Sequence, residues 1–191
     1  MKSKIAIFAS GSGTNAEEII KYFKSHEKIS VSLILSNNPS AFVLQRAENH
    51  RIPQYVFSRH IFYKEKLVDE ILRLNGIDFI VLAGFMWLVP ERFVKNYPNR
   101  IVNIHPALLP KYGGKGMYGS FVHEAVVKNK EKESGITIHW VNEAYDEGNI
   151  IFQAKCKVES GDNADAVASK VHQLEYEHYP RVIEQAILES Q

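Results

Sequence analysis

The chain has 191 residues, 45% hydrophobic and 24% charged, which suits one globular domain and excludes wholesale disorder. Lys plus Arg number 23 against 22 Asp plus Glu, and a net charge of +1 lacks the basic footprint that broad nucleic-acid or acidic-membrane binding needs. One cysteine, Cys156, excludes an internal disulfide and a Cys-rich zinc site and points to a reducing, cytoplasmic setting. The longest apolar run, Phe79 to Val89, falls well short of the ~20 residues of a membrane helix, and the stretch Met1–Ala9 is too short for a secretory signal.

Apolar runs alternate with helix-period segments. This pattern predicts an α/β fold: a Rossmann-like, open, twisted, mostly parallel sheet with helices on both faces. The first strand is expected at Lys4–Ala9 and the first helix at Asn15–Phe23. Between them lies Ser10-Gly11-Ser12-Gly13-Thr14-Asn15. Glycines let a backbone approach a ligand, and a helix start favours phosphate. An ordinary glycine turn with Thr14 and Glu17 as a capping box explains the segment equally well. Gly11-x-Gly13-x-x-Ala16 imitates a dinucleotide fingerprint, but the second strand, Ile29–Ser36, runs into Asn37-Asn38 with no acid for a ribose. A single phosphate, such as that of a phosphoribosyl group, fits better.

Next come a helix at Ala41–His50, a strand at Gln54–Phe57, a helix at Tyr63–Leu74 and a strand at Phe79–Leu82. Phe85-Met86-Trp87-Leu88-Val89 suits either an aromatic ligand pocket or core packing. Pro90 fits the first turn of a helix reaching Tyr97. The strand Ile101–His105 puts Asn103 and His105 on one face, and Pro106 marks its carboxyl end. Ligands bind at such ends. The pair could tie down the Ala107–Pro110 loop, or could supply an amide and an imidazole donor to a developing oxyanion. Side by side at a ligand-facing edge, they favour function.

Lys128–Glu133 reads as a solvated charge run. Two strands, Ile136–Val141 and Ile150–Val158, flank Asp146-Glu147-Gly148. That segment is either a plain hairpin turn or a means of bringing Asp146 to Asn103 and His105, where its charge would raise the imidazole pKa. Thr137 and His139 share a strand face and could border the same site, though His139 alone reads as structural. A last helix is expected from about Ala164 to Leu188. On it, His172-x-x-Glu175-x-x-His178 has ligand spacing without the second copy a di-metal site needs, so no metal is expected.

Taken together, these segments resemble the folate-dependent phosphoribosylglycinamide formyltransferases over about Ile5 to Ile187. The carriers are Ser10–Asn15, Leu82-Ala83-Gly84-Phe85-Met86, Asn103-Ile104-His105-Pro106 through Tyr112, Gly135–His139, Tyr145–Gly148, and Glu175 with Tyr179-Pro180. The resemblance implies transfer of a formyl group from 10-formyltetrahydrofolate, as co-substrate, to the amine of glycinamide ribonucleotide in purine biosynthesis. It implies Asn103, protonated His105 and Asp146 as the catalytic residues. Gly11, Ser12, Gly13, Thr14, Asn15 and Arg59 would contact the acceptor phosphate, and Glu175 the ribose. The pterin would lie along Met86, Trp87, Leu88 and Val89 and along Val141, Asn142, Glu143, Ala144, Tyr145 and Asp146. Residues 1–100 would mainly hold the acceptor, and residues 101–191 would supply the catalytic strand, the folate loop and the last helix.

Two features depart from the family pattern. Trp87 stands where many members have arginine, and Lys111–Gly119 is longer and richer in glycine, which suggests a lid. The competing readings are a formyltetrahydrofolate hydrolase, a methionyl-tRNA formyltransferase and a non-catalytic binding module. The first two are expected to carry an added domain for which 191 residues leave little room, and the third needs no Asn103, His105 and Asp146 together. The expected assembly is a monomer or a homodimer.

Overall fold

The computed structural model describes residues 2–144 and 146–190. Seven strands form one sheet in the order β3-β2-β1-β4-β5-β6-β7. They are β1 (Ser3–Phe8), β2 (Ile29–Ser36), β3 (Gln54–Val56), β4 (Phe79–Leu82), β5 (Ile101–His105), β6 (Glu133–Trp140) and β7 (Ile150–Lys157). The first five run parallel, while β6 and β7 pair antiparallel. Residues in β1 alternate between two cores: Ile5 and Ile7 enter one, Ala6 and Phe8 the other. A strand buried on both faces therefore reads as an unbroken apolar run.

The first core packs α1 (Thr14–Phe23), α2 (Phe42–Asn49), α6 (Ser120–Lys128) and α7 (Ala164–Glu189) on one face. The second packs α3 (Arg59–Lys64), α4 (Leu67–Leu74) and α5 (Glu91–Asn96) on the other. Strand order reverses at β1, which lies between β2 and β4. The loops after β1 and β4 therefore part there and leave a crevice at the strands' carboxyl ends. No helix among the described residues is long and apolar enough to cross a membrane.

Four local expectations are corrected. The helix expected at Tyr63–Leu74 is two helices, because Glu65 leaves helical geometry at φ −115, ψ 166. There Arg92 donates to the Phe62 and Glu65 carbonyls, groups a continuous helix would have used itself. Pro90 is the N-cap of α5 in extended geometry, one residue ahead of the first helical turn. Helix α6, which has no side-chain cap at Gly119, carries no start signal in the sequence. The strand expected at Ile136–Val141 begins earlier, at Glu133, which pairs with Lys157 of β7.

Candidate active site

One cleft of about 560 Å³ opens at the strand-order reversal. Its walls are the turn after β1, the segment after β4, the end of β5, the glycine-rich loop before α6, and His172 and Glu175 of α7. Ser10 joins the first two walls, donating its N–H to the Gly84 carbonyl at 3.0 Å and accepting the Met86 N–H on Oγ at 3.0 Å.

The turn after β1 is held from behind by α2. Val43 N–H donates to the Gly11 carbonyl at 3.1 Å, and Arg46 Nε donates to the Ser12 carbonyl at 2.9 Å. Gly13 sits at φ +68, and a Cβ there would lie 2.5 Å from Val43 Cγ2, so both conformation and space demand glycine. The expected capping box does not form. Gly13 is the N-cap with no side-chain bond, and Glu17 turns to His50 and Arg46 instead. The N–H groups of Gly11, Ser12, Gly13 and Thr14 consequently have no acceptor among the described residues. Beside them Asn15 Nδ2 donates to Glu175 Oε2 at 2.9 Å, and buried Asn15 Oδ1 has no partner among the described residues. His172 Nδ1 meets the same carboxylate oxygen at 2.9 Å. The turn thus offers donors, followed by acceptors at Asn15 and Glu175.

At the other end, Asn103 of β5 pairs in register with His139 of β6, so both side chains stand on one face. Asn103 Nδ2 lies 3.2 Å from His139 Nε2 and donates to Asp146 Oδ1 at 3.4 Å. His139 Nδ1–H donates to the Trp140 carbonyl at 2.9 Å, and its Nε2 faces both Asn103 Nδ2 and, at 3.6 Å, Asp146 Oδ1. Asp146 Oδ2 is 3.5 Å from His105 Nδ1 and accepts the Gly114 N–H at 3.0 Å. His105 Nε2 faces the Tyr112 carbonyl at 2.7 Å, and a carbonyl only accepts, so that nitrogen carries the proton. Asp146 holds left-handed geometry at φ 55 and is followed closely by Gly148, where any Cβ would lie 1.6 Å from the Trp140 carbonyl oxygen. This turn is shaped to aim Asp146 inward.

The comparisons agree with this geometry. The profile of one family, described as Formyl transferase, matches residues 3–183. The chain belongs to the formyl transferase family. Among its relatives is the phosphoribosylglycinamide formyltransferase of Bacillus subtilis, 35% identical over 96% of this chain and 94% of that protein. The chloroplastic enzyme of the same name from Arabidopsis thaliana is 38% identical over 95% of this chain, which spans 64% of the plant protein. The crystal structure of phosphoribosylglycinamide formyltransferase from Bacillus halodurans superposes with a TM-score of 0.88 at 35% identity, covering 99% of this chain and 97% of that one.

In this formyl transferase the cleft gathers Gly11–Asn15, Met86–Val89, Asn103, His105, Val141, Ala144, Asp146 and Glu175. Arg59 stands apart from these residues. It does not line the cleft, and its guanidinium stands 5.1 Å from the Tyr63 ring centroid and 5.6 Å from that of Trp87. Asn142 and Glu143 are also absent from the lining; Asn142 Oδ1 instead accepts the Ala144 N–H. Tyr145 lies outside the described residues. The Phe85 ring packs on Phe8, Phe57 and Phe62, so that residue serves the core while Met86 is exposed.

Several site residues escaped sequence reasoning. His139, which by itself reads as structural and beside Thr137 as a candidate border of the site, touches Asn103 and lies 3.6 Å from Asp146. Thr137 ties down the loop after β5, accepting the Leu109 N–H and donating to the Ala107 carbonyl, which leaves Asn103 and His105 free of that duty. His123 lines the cleft with Nδ1 buried and without a partner among the described residues. Only α6, unseen in the sequence, brings it there. His172 and Glu175 meet in the cleft, while His178 packs against Phe152, so the three ligand-spaced residues do not converge.

Charge in the site also differs from expectation. Burial lowers the His105 pKa below its ordinary value; Asp146 and the Tyr112 carbonyl push it up without reversing this. The resident ring is therefore biased towards neutral. Burial acts to raise the Asp146 pKa, but His139, the charge of His105 and the Gly114 N–H together bring it below the usual carboxylate value. Asp146 is thus kept ionised beside His105.

Proposed function

We propose that the chain transfers the formyl group of 10-formyltetrahydrofolate to the amine of glycinamide ribonucleotide, giving formylglycinamide ribonucleotide and tetrahydrofolate in purine biosynthesis. The observation that carries this reading is the polarity of a single cleft. One end offers free N–H groups at Gly11–Thr14 and then the acceptors Asn15 Oδ1 and Glu175. A phosphate only accepts hydrogen bonds at those N–H groups, and ribose hydroxyls donate to the acceptors. The other end carries Asn103, His105 and Asp146, a set suited to charge developing during acyl transfer. The mainly apolar wall of Met86–Val89, Val141 and Ala144 suits the flat pterin of the donor.

In the reaction the amine nitrogen attacks the formyl carbon, the bond from that carbon to folate N10 breaks, and one amine proton ends on N10. Negative charge collects on the formyl oxygen. The donors for it are His105 Nε2–H and Asn103 Nδ2. In the structure these are engaged by the Tyr112 carbonyl and by His139 and Asp146. The formyl oxygen, another carbonyl, takes the place of Tyr112 as the Lys111–Gly119 loop gives way and then covers the cleft. Nε2 carries its proton in the neutral ring and in the charged one, the charged ring being the stronger donor, so a lowered His105 pKa is compatible with the role. Asp146, ionised in the resting site, takes the amine proton and passes it towards N10.

The test is release of tetrahydrofolate from 10-formyltetrahydrofolate with and without glycinamide ribonucleotide. Release that depends on the acceptor is expected. Equal release in its absence would overturn the transferase reading in favour of a hydrolase.

A further inference from the structure

We propose that Arg46, on α2 behind the cleft, is a positioning residue that sets affinity for the acceptor's phosphate by holding the β1–α1 turn with its N–H groups facing the ligand. The phosphorylated acceptor comes from the function proposed above; the role of Arg46 at an anion-binding turn does not depend on the formyl chemistry.

In a trans peptide the C=O and the following N–H point in opposite directions. Two successive carbonyls of the turn are drawn towards α2: Gly11 by the Val43 N–H and Ser12 by Arg46 Nε. The other ends of those same peptides, the N–H groups of Ser12 and Gly13, must therefore point away from α2. Both residues line the cleft, and neither N–H has a partner among the described residues. Val43 does its share with a backbone group that belongs to the helix. Arg46 does so with a charged side chain, whose bond to the Ser12 carbonyl polarises that peptide and strengthens the opposite N–H as a donor.

The guanidinium is itself held. Glu17 Oε2 lies 3.3 Å from its second nitrogen, and the Phe42 ring centroid lies 5.1 Å from its central carbon. Among the described residues lining the cleft, Lys115 is the only lysine or arginine, and it stands exposed on the glycine-rich loop. The cation nearest to the phosphate turn thus acts from behind, through the peptide. Lysine in its place keeps the charge but lacks the fork that spans Ser12 and Glu17 together.

The test compares wild type with Arg46→Met and Arg46→Lys. Steady-state kinetics are measured with glycinamide ribonucleotide and 10-formyltetrahydrofolate, and calorimetry measures binding of ribose 5-phosphate and of ribose. Arg46→Met is expected to raise KM for the acceptor about ten- to a hundredfold, with kcat and the donor KM moving by less than about twofold. Affinity for ribose 5-phosphate falls by a similar factor, and Arg46→Lys recovers part of both losses. Unchanged ribose 5-phosphate affinity in Arg46→Met would overturn the proposal. So would a joint rise of both KM values with a lower Tm, which marks general loosening, or failure of wild type to bind ribose 5-phosphate at all. If wild type transfers no formyl group yet binds ribose 5-phosphate in an Arg46-dependent way, the formyl-transfer reading fails and the role of Arg46 stands.

Discussion

The two ends of the cleft are built from different materials. The phosphate-type end is mostly backbone: five consecutive residues, Gly11 to Asn15, on one turn, fixed by one neighbouring helix. The other end is side chains from separate places, with Asn103 and His105 on β5, His139 on β6, and Asp146 on the β6–β7 connection. A backbone site is specified by conformation, so it tolerates side-chain change except where a Cβ intrudes. A side-chain site is specified by register and burial, so each member is irreplaceable but the surrounding loops can vary.

The contrast is put to its hardest test at His105. On the proposed mechanism, replacement by alanine removes an oxyanion donor and should lower kcat about 10²–10³-fold while acceptor and donor binding change little. Single-turnover rates alongside equilibrium binding check this, and a variant with near-normal turnover removes His105 from the chemistry. At the backbone end the pattern inverts. In Gly13→Ala the new Cβ would meet Val43 Cγ2 at 2.5 Å in left-handed geometry. The expected result is a rise in acceptor KM and a loss of about 1–3 kcal/mol of stability, with kcat at saturation largely kept. Denaturant melts and initial rates decide it. A fall in kcat with unchanged KM would mean that the two ends are not separable in this way.

The smallest effect concerns protons. Burial keeps the pKa values of His105 and His123 below their ordinary 6.5. As pH falls below that value the unfolded chain takes up these protons before the folded one, so stability present above it is progressively lost. Asp146, lowered in the fold, adds a loss of the same sign at lower pH, through its depressed pKa. His172 has the opposite sign: its bond to Glu175 raises its pKa, so its contribution is present below 6.5 and fades as pH rises through the folded value. Thermal melts from about pH 7 down to pH 5 should show falling Tm in wild type and a shallower fall in His123→Leu. The same slope in both would mean that His123 is not held neutral.

Much of this molecule was legible as sequence. Apolar runs gave the parallel strands β1, β2, β4 and β5, because a strand buried on both faces has no polar register to hide it, whereas β3 is a short exposed edge strand. The residues that flank the cleft were found where a short stretch carries its own signal, such as Gly11–Asn15 or Asn103-x-His105. The stacking of Arg59 on Tyr63 and Trp87 was not legible, because a cation near a binding segment carries no sign of which surface it will meet. Helix α6 was missed because its start has no capping side chain, and His123 went with it.

The sequence by itself therefore determined the sheet, the ligand-facing edge and the chemical types at both ends, since each follows from local periodicity and from residues close along the chain. Only the tertiary structure decided what those groups do to one another. It set His139 opposite Asn103, turned Asp146 towards a buried His105, and drew the Ser12 carbonyl of the glycine turn to Arg46. The physical reason is that burial, charge and hydrogen-bond polarity are properties of neighbours in space, and these neighbours are tens of residues apart in the chain.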